Sequence, residues 1–447
     1  MEMAESTITG IPSGDRESSD SISIVQRGNL KTLEQTLRRQ WRLGQNIVLC
    51  WSADERGLLV IFVPHYFLGN YCAGAEAATV QGEDNEAFVR KLISGRRRKT
   101  REQLFKISER LDIAPTFIKL NTALTEEKNV LEAVEQLIKR YGLSYVESRA
   151  VLLFDIVEFS LHTPFEQASQ LNSLSYSLNS AYNKLLAQGI EINFARTTTG
   201  DGYYIWNRKL GPAANQDLFY FMLLVVADNA AARAASRGNT VPVIRTAYHI
   251  GGHYELYQAE GVNPTVFSYI VGDVTIELAR MLDHAQPHQI LIGDFHCESP
   301  SWQPVTESQT AGKAAPMISS PAFVSSCNRG LSALQGILLS SKKVKSLACH
   351  LTESRDQAEK TGPRRFRIVD KHGLSRHAYN LQIAIDLDGQ QMSLGLDGSQ
   401  LPLRGPREPL ADTPPPRPPG AAPSTEELFD DLAGLLKKRN NKAMTED

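Results

Sequence analysis

Hydrophobic residues recur along this chain with two spacings, one typical of amphipathic helices and one typical of buried strands. In the first third of the chain, helices are predicted for residues 29–45, 83–113 and 125–141, and strands for 46–51 and 58–63. Together they predict a mixed α/β regulatory or dimerisation region over residues 29–143, which ends in a coupling helix. The basic run 96–99 within it is typical of a solvated helix face.

From residue 147 to 294 the pattern alternates between strands and helices. Strands are predicted for residues 150–156, 190–196, 203–207, 241–251, 269–271 and 289–292, and helices for 164–188, 217–237 and 274–285. A hairpin of two more strands is predicted for 366–369 and 378–385. Such an alternation predicts one sheet packed by helices, in the α/β or α+β class.

Both ends of the chain and one internal segment differ from this pattern. Residues 1–28 are rich in Ser, Gly and acidic residues, and are predicted to be disordered. Residues 298–362 carry Ser, Pro and Lys around a predicted helix, 331–351, and are predicted to be an insertion. A proline-rich linker at 391–423 leads to an amphipathic helix within 424–447, a candidate surface for a protein partner.

The overall composition excludes several classes of function. The chain has 447 residues, 42% of them hydrophobic, with a net charge of −2, which gives no general attraction to nucleic acid or to anionic membranes. No apolar stretch reaches the length of a membrane span, and the acidic start lacks the features of a secretory signal. Five cysteines without C-x-x-C spacing argue against disulfides and zinc. We therefore expect a cytoplasmic protein that neither spans a membrane nor binds nucleic acid.

Two aspartates carry the first chemical signal in the sequence. Asp155 and Asp201 each lie at the end of an apolar run that predicts a buried strand. Burying a carboxylate without a partner is costly. Hard cations such as Mg²⁺ are held by a few carboxylates, and substrate phosphates complete their coordination. The pair therefore predicts a metal–nucleotide site.

Four sequence blocks resemble, in order and spacing, the catalytic domain of the class III nucleotidyl cyclases, the adenylate and guanylate cyclases, in a divergent bacterial form. They are residues 154–160 (FDIVEFS), 199–202 (TGDG), 245–252 (RTAYHIGG) and 269–281 (YIVGDVTIELARM). The resemblance implies a cyclase-like domain formed by residues 144–297 and 363–390. It also implies an α+β fold with a ferredoxin-like, palm-type βαββαβ sheet.

The resemblance further implies an activity. A nucleoside triphosphate would become a 3′,5′-cyclic monophosphate and pyrophosphate for intracellular signalling, with two Mg²⁺ or Mn²⁺ ions per site. In this family the site forms between two subunits arranged head to tail, so a homodimer is implied as well. Metals and the catalytic arginine would then come from different chains.

Residue roles follow from the matched blocks. Asp155 and Asp201, with the carbonyl of Ile156, are implied to hold the metals, and Arg280 to stabilise the transition state. Substrate binding is implied for Lys371, Thr197, Tyr269, Phe159 and Ser160.

Four positions depart from the family pattern. Glu158 replaces a glycine of the first block, and Ile276 replaces an asparagine that bonds the ribose. Thr197 and Tyr269 replace the lysine and aspartate that read adenine, and guanylate-type residues are absent too. ATP is the first candidate substrate, and a pyrimidine triphosphate, UTP or CTP, is the second. The alternative is a catalytically weak nucleotide-binding regulatory module that acts through protein contacts.

Overall fold

The protein is described here from a computed structural model, which covers residues 22–73, 84–260, 263–300, 315–353, 362–370 and 373–401. The helix predicted within 424–447 and most of the disordered segment predicted for 1–28 lie outside the described residues, as does Lys371. The domain boundaries given above stay predictions.

The N-terminal region contains a three-stranded antiparallel sheet in the order β1-β2-β3. Its strands are β1 (Asn46–Asp54), β2 (Gly57–Pro64) and β3 (Thr116–Lys119). Its helices are α1 (Ile24–Trp41), α2 (Phe67–Ala73), α3 (Asn85–Ser94), α4 (Arg101–Leu111) and α5 (Lys128–Lys139). Helices α1 and α5 cover one face of this sheet, and α2, α3 and α4 cover the other. The mixed α/β character predicted for this region is therefore observed, with α2 and β3 as elements that the pattern did not predict.

An eleven-stranded mixed sheet forms the larger part of the molecule. The first half of this part of the chain contains, in order, β4 (Ser144–Ile156), α6 (Pro164–Ala187), β5 (Phe194–Thr198), β6 (Gly202–Asn207), α7 (Pro212–Ala235), β7 (Ile244–Glu260), β8 (Asn263–Val271), α8 (Asp273–Asp283) and β9 (Ile290–Gly293). The four strands β7-β4-β6-β5 lie side by side in that order, and each pairs with its neighbour in antiparallel fashion. The strand–helix alternation predicted for this region is confirmed, and the fold class is α+β.

The rest of the chain extends the same sheet. Its elements are β10 (His296–Glu298), β11 (Met317–Ser319), α9 (Ser320–Gly330), β12 (Leu338–Leu339), β13 (Lys342–Leu351), β14 (Arg365–Val369), β15 (Ser375–Leu387) and β16 (Gln390–Leu394). Strand β9 runs parallel to β7, and β15 pairs with both β9 and β13. The predicted hairpin is confirmed as β14 and β15, whereas β10 and β11 form a separate pair.

Helices α6 and α7 pack on one face of the large sheet, and α8 packs on the other. Helix α6 begins at a capping box, in which Thr163 and Glu166 bond each other's backbone N–H groups, with Pro164 at the first helical position. Contrary to the expectation from the sequence, helix α7 is long and apolar enough by composition to cross a bilayer, although 61% of its apolar window is buried. Its middle is enclosed by the sheet and α6, the position of a central core helix.

One predicted helix is wrong, and another is divided into two helices. The segment 331–351 contains a short 3₁₀ turn, Leu331–Leu334, followed by strands β12 and β13. The segment 83–113 contains two helices, α3 and α4, rather than one. Between them the basic run leaves the helix and lies along β1, where the N–H of Trp51 donates to the carbonyl of Arg97 over 3.0 Å.

Arg97 ties the N-terminal sheet to the start of β4. Its side chain is 1% exposed, and it donates to the carbonyl of Leu49 over 2.8 Å, to the carbonyl of Leu143 and to the hydroxyl of Ser144. Burial lowers the pKa of Arg97 to about 10, while Glu135 raises it. The basic run is therefore in part an internal connector and not a solvated helix face.

We expect Arg97→Met to lower the free energy of unfolding by about 3 kcal/mol, because it leaves several buried oxygen acceptors without a donor. The exposed neighbour provides the matched control, and Arg96→Met should change stability by less than about 0.5 kcal/mol. Urea denaturation followed by circular dichroism measures both. Equal stability of the two variants would contradict a connecting role for Arg97.

Candidate functional site

Asp155 lies near the end of strand β4, on the face that α8 covers. Its two cross-strand neighbours are Gly202 on β6 and Arg245 on β7. A Cβ atom at Gly202 would lie 1.9 Å from the carbonyl oxygen of Phe154. Only glycine lets β6 approach β4 this closely, and the approach sets the position of the turn that carries Asp201.

The carboxylate of Asp155 forms an ion pair with Arg245. The arginine donates from Nε over 2.9 Å and from a second guanidinium nitrogen to the same oxygen. The Asp155 side chain is only 15% exposed. Burial raises the pKa of Asp155, Arg245 lowers it, and the nearby charge of Asp201 raises it again. Sequence reasoning missed Arg245 as a site residue, although it opens the third matched block.

Asp201 lies in the turn between β5 and β6, next to the end of β4. Its backbone carbonyl accepts the N–H of Ile156 over 2.9 Å, and its carboxylate accepts the hydroxyl of Thr199 over 3.2 Å. Gly200 adopts φ +104°, a left-handed conformation that favours glycine and closes the turn. The structure therefore brings Asp155, Ile156 and Asp201 together, as the sequence predicts.

The donor atoms at this place suit a hard divalent cation. Two carboxylates and a backbone carbonyl are oxygen ligands, and Mg²⁺ characteristically takes one or two carboxylates and completes its shell with phosphates and water. Mutual repulsion between Asp155 and Asp201 contributes to the raised pKa, and a cation would relieve it. Within the described ranges, no group of three or more His, Cys, Asp or Glu residues is positioned to hold a metal ion. Water and substrate oxygens would complete the shell of an ion held here.

In the loop after β4, a residue other than glycine has a backbone conformation that is typical of glycine. Glu158 adopts φ 55° and ψ 28°, the left-handed region, and its side chain is exposed. Phe159 and Ser160 follow in the 3₁₀ turn Phe159–Leu161, where Phe159 packs against the core and Ser160 is exposed. The residue that departs from the family pattern thus has a conformation that glycine would adopt without strain.

We expect Glu158→Gly to raise the free energy of unfolding by up to about 1 kcal/mol, because glycine adopts the left-handed conformation without strain. Glu158→Ala is the matched control, since it removes the same charge and keeps a Cβ atom. Thermal melts of the three proteins measure the difference. A gain in the alanine variant equal to that in the glycine variant would assign the effect to charge and not to backbone strain.

Three of the predicted residues, Thr197, Tyr269 and Arg280, lie near Tyr204 on β6 and form a second group. Thr197 is the cross-strand partner of Tyr204, and the Tyr204 hydroxyl donates to the carbonyl of Thr275 over 3.0 Å. Burial raises the pKa of Tyr204 to about 12; nearby Tyr269 and Asp283 raise it further, and Arg280 lowers it. Tyr204, for which the sequence predicted only a place in the strand 203–207, is therefore the centre of this group.

Arg280 lies on α8 and pairs within its own helix. Its guanidinium donates to Asp283 over 2.9 Å, and its side chain is 26% exposed. The charge of Asp283 raises the pKa of Asp155 as well as that of Tyr204. Asp283 is thus electrostatically coupled to both groups of residues. Ile276, one turn earlier on α8, is 46% exposed.

Lys371 lies outside the described residues, whereas the strands on either side of it, β14 and β15, are described. Arg376 on β15 is 12% exposed and pairs with Glu277 of α8 and, over 3.4 Å, with Asp370. These contacts fix the hairpin against the helix that bears Arg280.

Comparisons with known proteins add little beyond a weak likeness. No family model and no curated protein matches this chain. Among solved structures, the guanylate cyclase domain of RhGC from Catenaria anguillulae in complex with GTP is 13% identical, with a TM-score of 0.30 over 53% of this chain and 97% of that one. The adenylyl cyclase CyaB from P. aeruginosa is 11% identical, with a TM-score of 0.30 over 54% and 95% of the two chains. The guanylyl cyclase Cya2 is 10% identical, with a TM-score of 0.27 over 52% and 91%. Similarity at this level is too weak to assign a function.

The ion pair with Arg245 leads to a prediction about metal affinity. Arg245→Gln should tighten Mn²⁺ binding in the absence of nucleotide by about fivefold to tenfold, because a cation that competes for Asp155 is removed. The same change should raise the pKa of Asp155, since the partner that lowers it is lost.

Calorimetric titration of Mn²⁺ and carboxyl NMR measure these two effects. Arg365→Gln is the matched control, because it removes another arginine–aspartate pair of the same sheet, with Asp294. Weaker Mn²⁺ binding by Arg245→Gln than by the control would show that Arg245 does not compete with a metal at Asp155.

Proposed function

We propose that this chain is a nucleotidyl cyclase of the class III type, which converts a nucleoside triphosphate to a 3′,5′-cyclic monophosphate and pyrophosphate. The observation that carries the proposal is the proximity of Asp155, near the end of β4, to Asp201, in the turn before β6, with Arg245 beside Asp155. Two carboxylates and an arginine at one place provide both metal ligands and a cation for phosphate. Each of the three groups has a use in that reaction.

The order of elements supports the palm-type sheet that the sequence resemblance implies. Strand β4, helix α6, strands β5 and β6, helix α7 and strand β7 follow one another as βαββαβ. Their strands are arranged as β7-β4-β6-β5, the fourth beside the first and the first beside the third. This arrangement brings the ends of the first strand and of the following hairpin together, where the carboxylates are found.

The residues act through position and charge in the proposed reaction. Asp155, Asp201 and the carbonyl of Ile156 would hold two Mg²⁺ or Mn²⁺ ions, which supply Lewis acidity to the ribose 3′ oxygen and to the phosphates. A cation held by Asp155 would replace Arg245 as the partner of that carboxylate, and the guanidinium would then be available to phosphate oxygens. Arg280, currently paired with Asp283, stabilises the charge that develops on the reacting phosphorus.

The two groups of residues fit a site shared between subunits. Asp155 and Asp201 form one half, and Thr197, Tyr269 and Arg280 form the other. In a head-to-tail homodimer, each metal-binding half would face the base- and phosphate-binding half of its partner, as the family resemblance implies. A regulatory signal would reach this dimer through residues 29–143. The protein would be cytoplasmic and would act in intracellular signalling.

The base-reading half offers hydroxyl groups and no charged side chain among Thr197, Tyr204 and Tyr269. Tyr269 is 41% exposed and therefore accessible to a ligand, whereas the hydroxyl of Tyr204 is already donated to Thr275. ATP is the first candidate substrate, and UTP or CTP is the second. Phe159, Ser160 and Lys371 would contribute to binding the triphosphate.

A nucleotide-binding regulatory module with weak turnover is the second candidate. The observations in its favour are Glu158 and Ile276, since Glu158 is strained and Ile276 has no group that can hydrogen-bond a ribose. Removal of a single donor from such a site costs on the order of 2–4 kcal/mol in the barrier, which slows an enzyme without abolishing its activity. Cyclic product distinguishes the two candidates.

The test is incubation of the purified full-length protein with ATP, GTP, CTP or UTP and Mn²⁺, with products identified by mass spectrometry. We expect one cyclic nucleotide, and a rate on the order of 10²-fold lower or worse in Asp155→Ala and in Asp201→Ala, because metal binding is lost. Asp217→Ala, a carboxylate on α7 away from the site, is the matched control and should keep activity. Nucleotide binding without product would favour the regulatory module.

Mixing two inactive variants tests the shared site. Asp155→Ala and Arg280→Ala should each be inactive as homodimers, whereas a one-to-one mixture that exchanges subunits should recover about a quarter of the wild-type rate. Half of the dimers are then mixed, and each of these has one intact site out of two. No recovery, although mass spectrometry shows mixed dimers, would mean that both residues act within one chain.

A further inference from the structure

An open groove of about 370 Å³ lies on the face of the large sheet opposite Asp155. It runs between the C-terminal half of α7 and the first residues of β7 and β9, and it is bordered by the end of β16. Arg233 and Ala234 on its lining are exposed, so the groove is open to solvent along α7. Its apolar surface is formed by Val226, Ala230, Ile244, Ile290 and Leu394.

The last strand that the structure describes borders this groove. Leu394 at the end of β16 and Gly395 just after it belong to the lining. The chain then stays packed on the protein, since Leu396 is 9% exposed and Leu401 is 3% exposed, and Asn380 donates to the carbonyl of Leu396 over 2.8 Å. Gly395 and Leu401 are six residues apart, so the residues that follow in the sequence start within about 20 Å of the groove.

An amphipathic helix is predicted further along the same chain, within residues 424–447. Leu428, Leu432 and Leu435 recur at the spacing of one helix face. The connecting residues 402–427 form a linker with an average span of roughly 25–30 Å if flexible, and a longer one where prolines extend it. The predicted helix can therefore reach the groove of its own chain.

The apolar rows of α7 and of the predicted helix agree in length. Val226 and Ala234 are eight residues apart on α7, and Leu428 and Leu436 are eight residues apart in the predicted helix. Each row is therefore about 12 Å long at the rise of an α-helix. The row on α7 includes Ala230 and Ala234, and such small side chains let a second helix approach closely.

The charges at the groove complement those of the predicted helix. Among the described residues that line the groove, none is acidic. Arg233 lies on the lining, Arg237 comes four residues later, and both are exposed. Arg233 uses one nitrogen for the carbonyl of Val241 over 3.3 Å, and a guanidinium has five N–H donors in all.

The predicted helix is acidic in its first two turns and apolar on one face. The acidic residues are Glu426, Glu427, Asp430 and Asp431. An antiparallel arrangement with α7 would place these carboxylates beside the C-terminal end of α7, where Arg233 and Arg237 lie. The dipoles of two antiparallel helices attract each other as well.

We propose that residues 424–436 dock in this groove of their own chain as an amphipathic helix that runs antiparallel to α7. Leu428, Leu432 and Leu435 contact the apolar surface. Asp431, at the edge of that face, meets the guanidinium of Arg233.

A docked helix would contact the strand that carries Arg245. Ile244 and Thr246 line the groove, and Arg245 between them points to the opposite face, where it pairs with Asp155. One strand therefore connects the C-terminal segment to the proposed active site. The docking itself needs neither nucleotide nor metal, so it can be tested independently of the proposed function.

The first test uses the full-length protein with the photo-crosslinking residue p-benzoylphenylalanine in place of Leu432. We expect a crosslink to residues 226–234 or 394–395 of the same chain, identified by mass spectrometry of the digested single-chain product. Gly434 lies on the opposite face of the predicted helix, so the same replacement there is the matched control and should give at least about fivefold less of this crosslink. Equal yields from both positions, no crosslink to the groove, or crosslinks that join two chains in place of one would overturn the proposal.

The second test reverses one charge at the groove. Arg233→Glu should lower the yield of the crosslink from position 432 by about fivefold, because attraction to Asp431 becomes repulsion. Arg329→Glu is the matched control and should leave the yield unchanged, since Arg329 is also an exposed arginine in the last turn of a helix, α9.

A compensating change separates charge from folding. Asp431→Arg, added to Arg233→Glu, restores an opposite pair and should restore the yield, which it could not do if Arg233→Glu had unfolded the protein. An unchanged yield in Arg233→Glu, or no recovery in a folded double variant, would contradict the contact between Arg233 and the docked helix. If Arg233→Glu does not fold, the comparison of positions 432 and 434, which leaves the groove unmodified, still decides.

Discussion

The register of strand β4 determines where the chemistry of this protein can occur. In that register Asp155 lies opposite Gly202 on one side and Arg245 on the other. A shift by one residue would turn Asp155 to the opposite face of the sheet, among the apolar side chains beneath α6 and α7. The register is fixed by the apolar residues that alternate along β4, such as Leu152 and Leu153, which are buried in different cores. Packing of both faces therefore positions the carboxylate.

The sequence was sufficient to find both aspartates but not their surroundings. Asp155 closes an apolar run and Asp201 comes just before one, and that local pattern is visible in any single sequence. The partner of Asp155 is 90 residues away along the chain, and only the pairing of β4 with β7 brings it near. The sequence did not reveal the role of Tyr204 for the same reason, because its neighbours Thr197 and Tyr269 come from separate strands. Contacts across strands depend on register, which spacing along one chain does not give.

The helix predicted for 331–351 failed for a specific physical reason. Strand β13 buries Val344 and Leu347, three residues apart, and a spacing of three is typical of helices. The register of β13 against β15 shifts between Val344 and Ser346, so a bulge adds one residue to the expected alternation. The buried connector Arg97 was missed because a fully buried arginine is rare, and a basic run is ordinarily exposed. In both cases tertiary contacts outweighed a sound local pattern.

The same strand joins the N-terminal region to the proposed active site. Arg97 bonds Leu143 and Ser144 at the start of β4, and Asp155 lies near its other end, about 35–40 Å away at the rise of an extended strand. Sliding β4 by one residue would exchange its faces and expose its core residues, so a signal from the N-terminal sheet cannot travel as a slip of this strand. Under the proposed function, such a signal would instead move β4 together with β6 and β7 as one body. Such a movement leaves the ion pair of Asp155 intact and changes how this half of the site meets a partner subunit. Regulation would then act on the dimer and not on the metal-binding residues themselves.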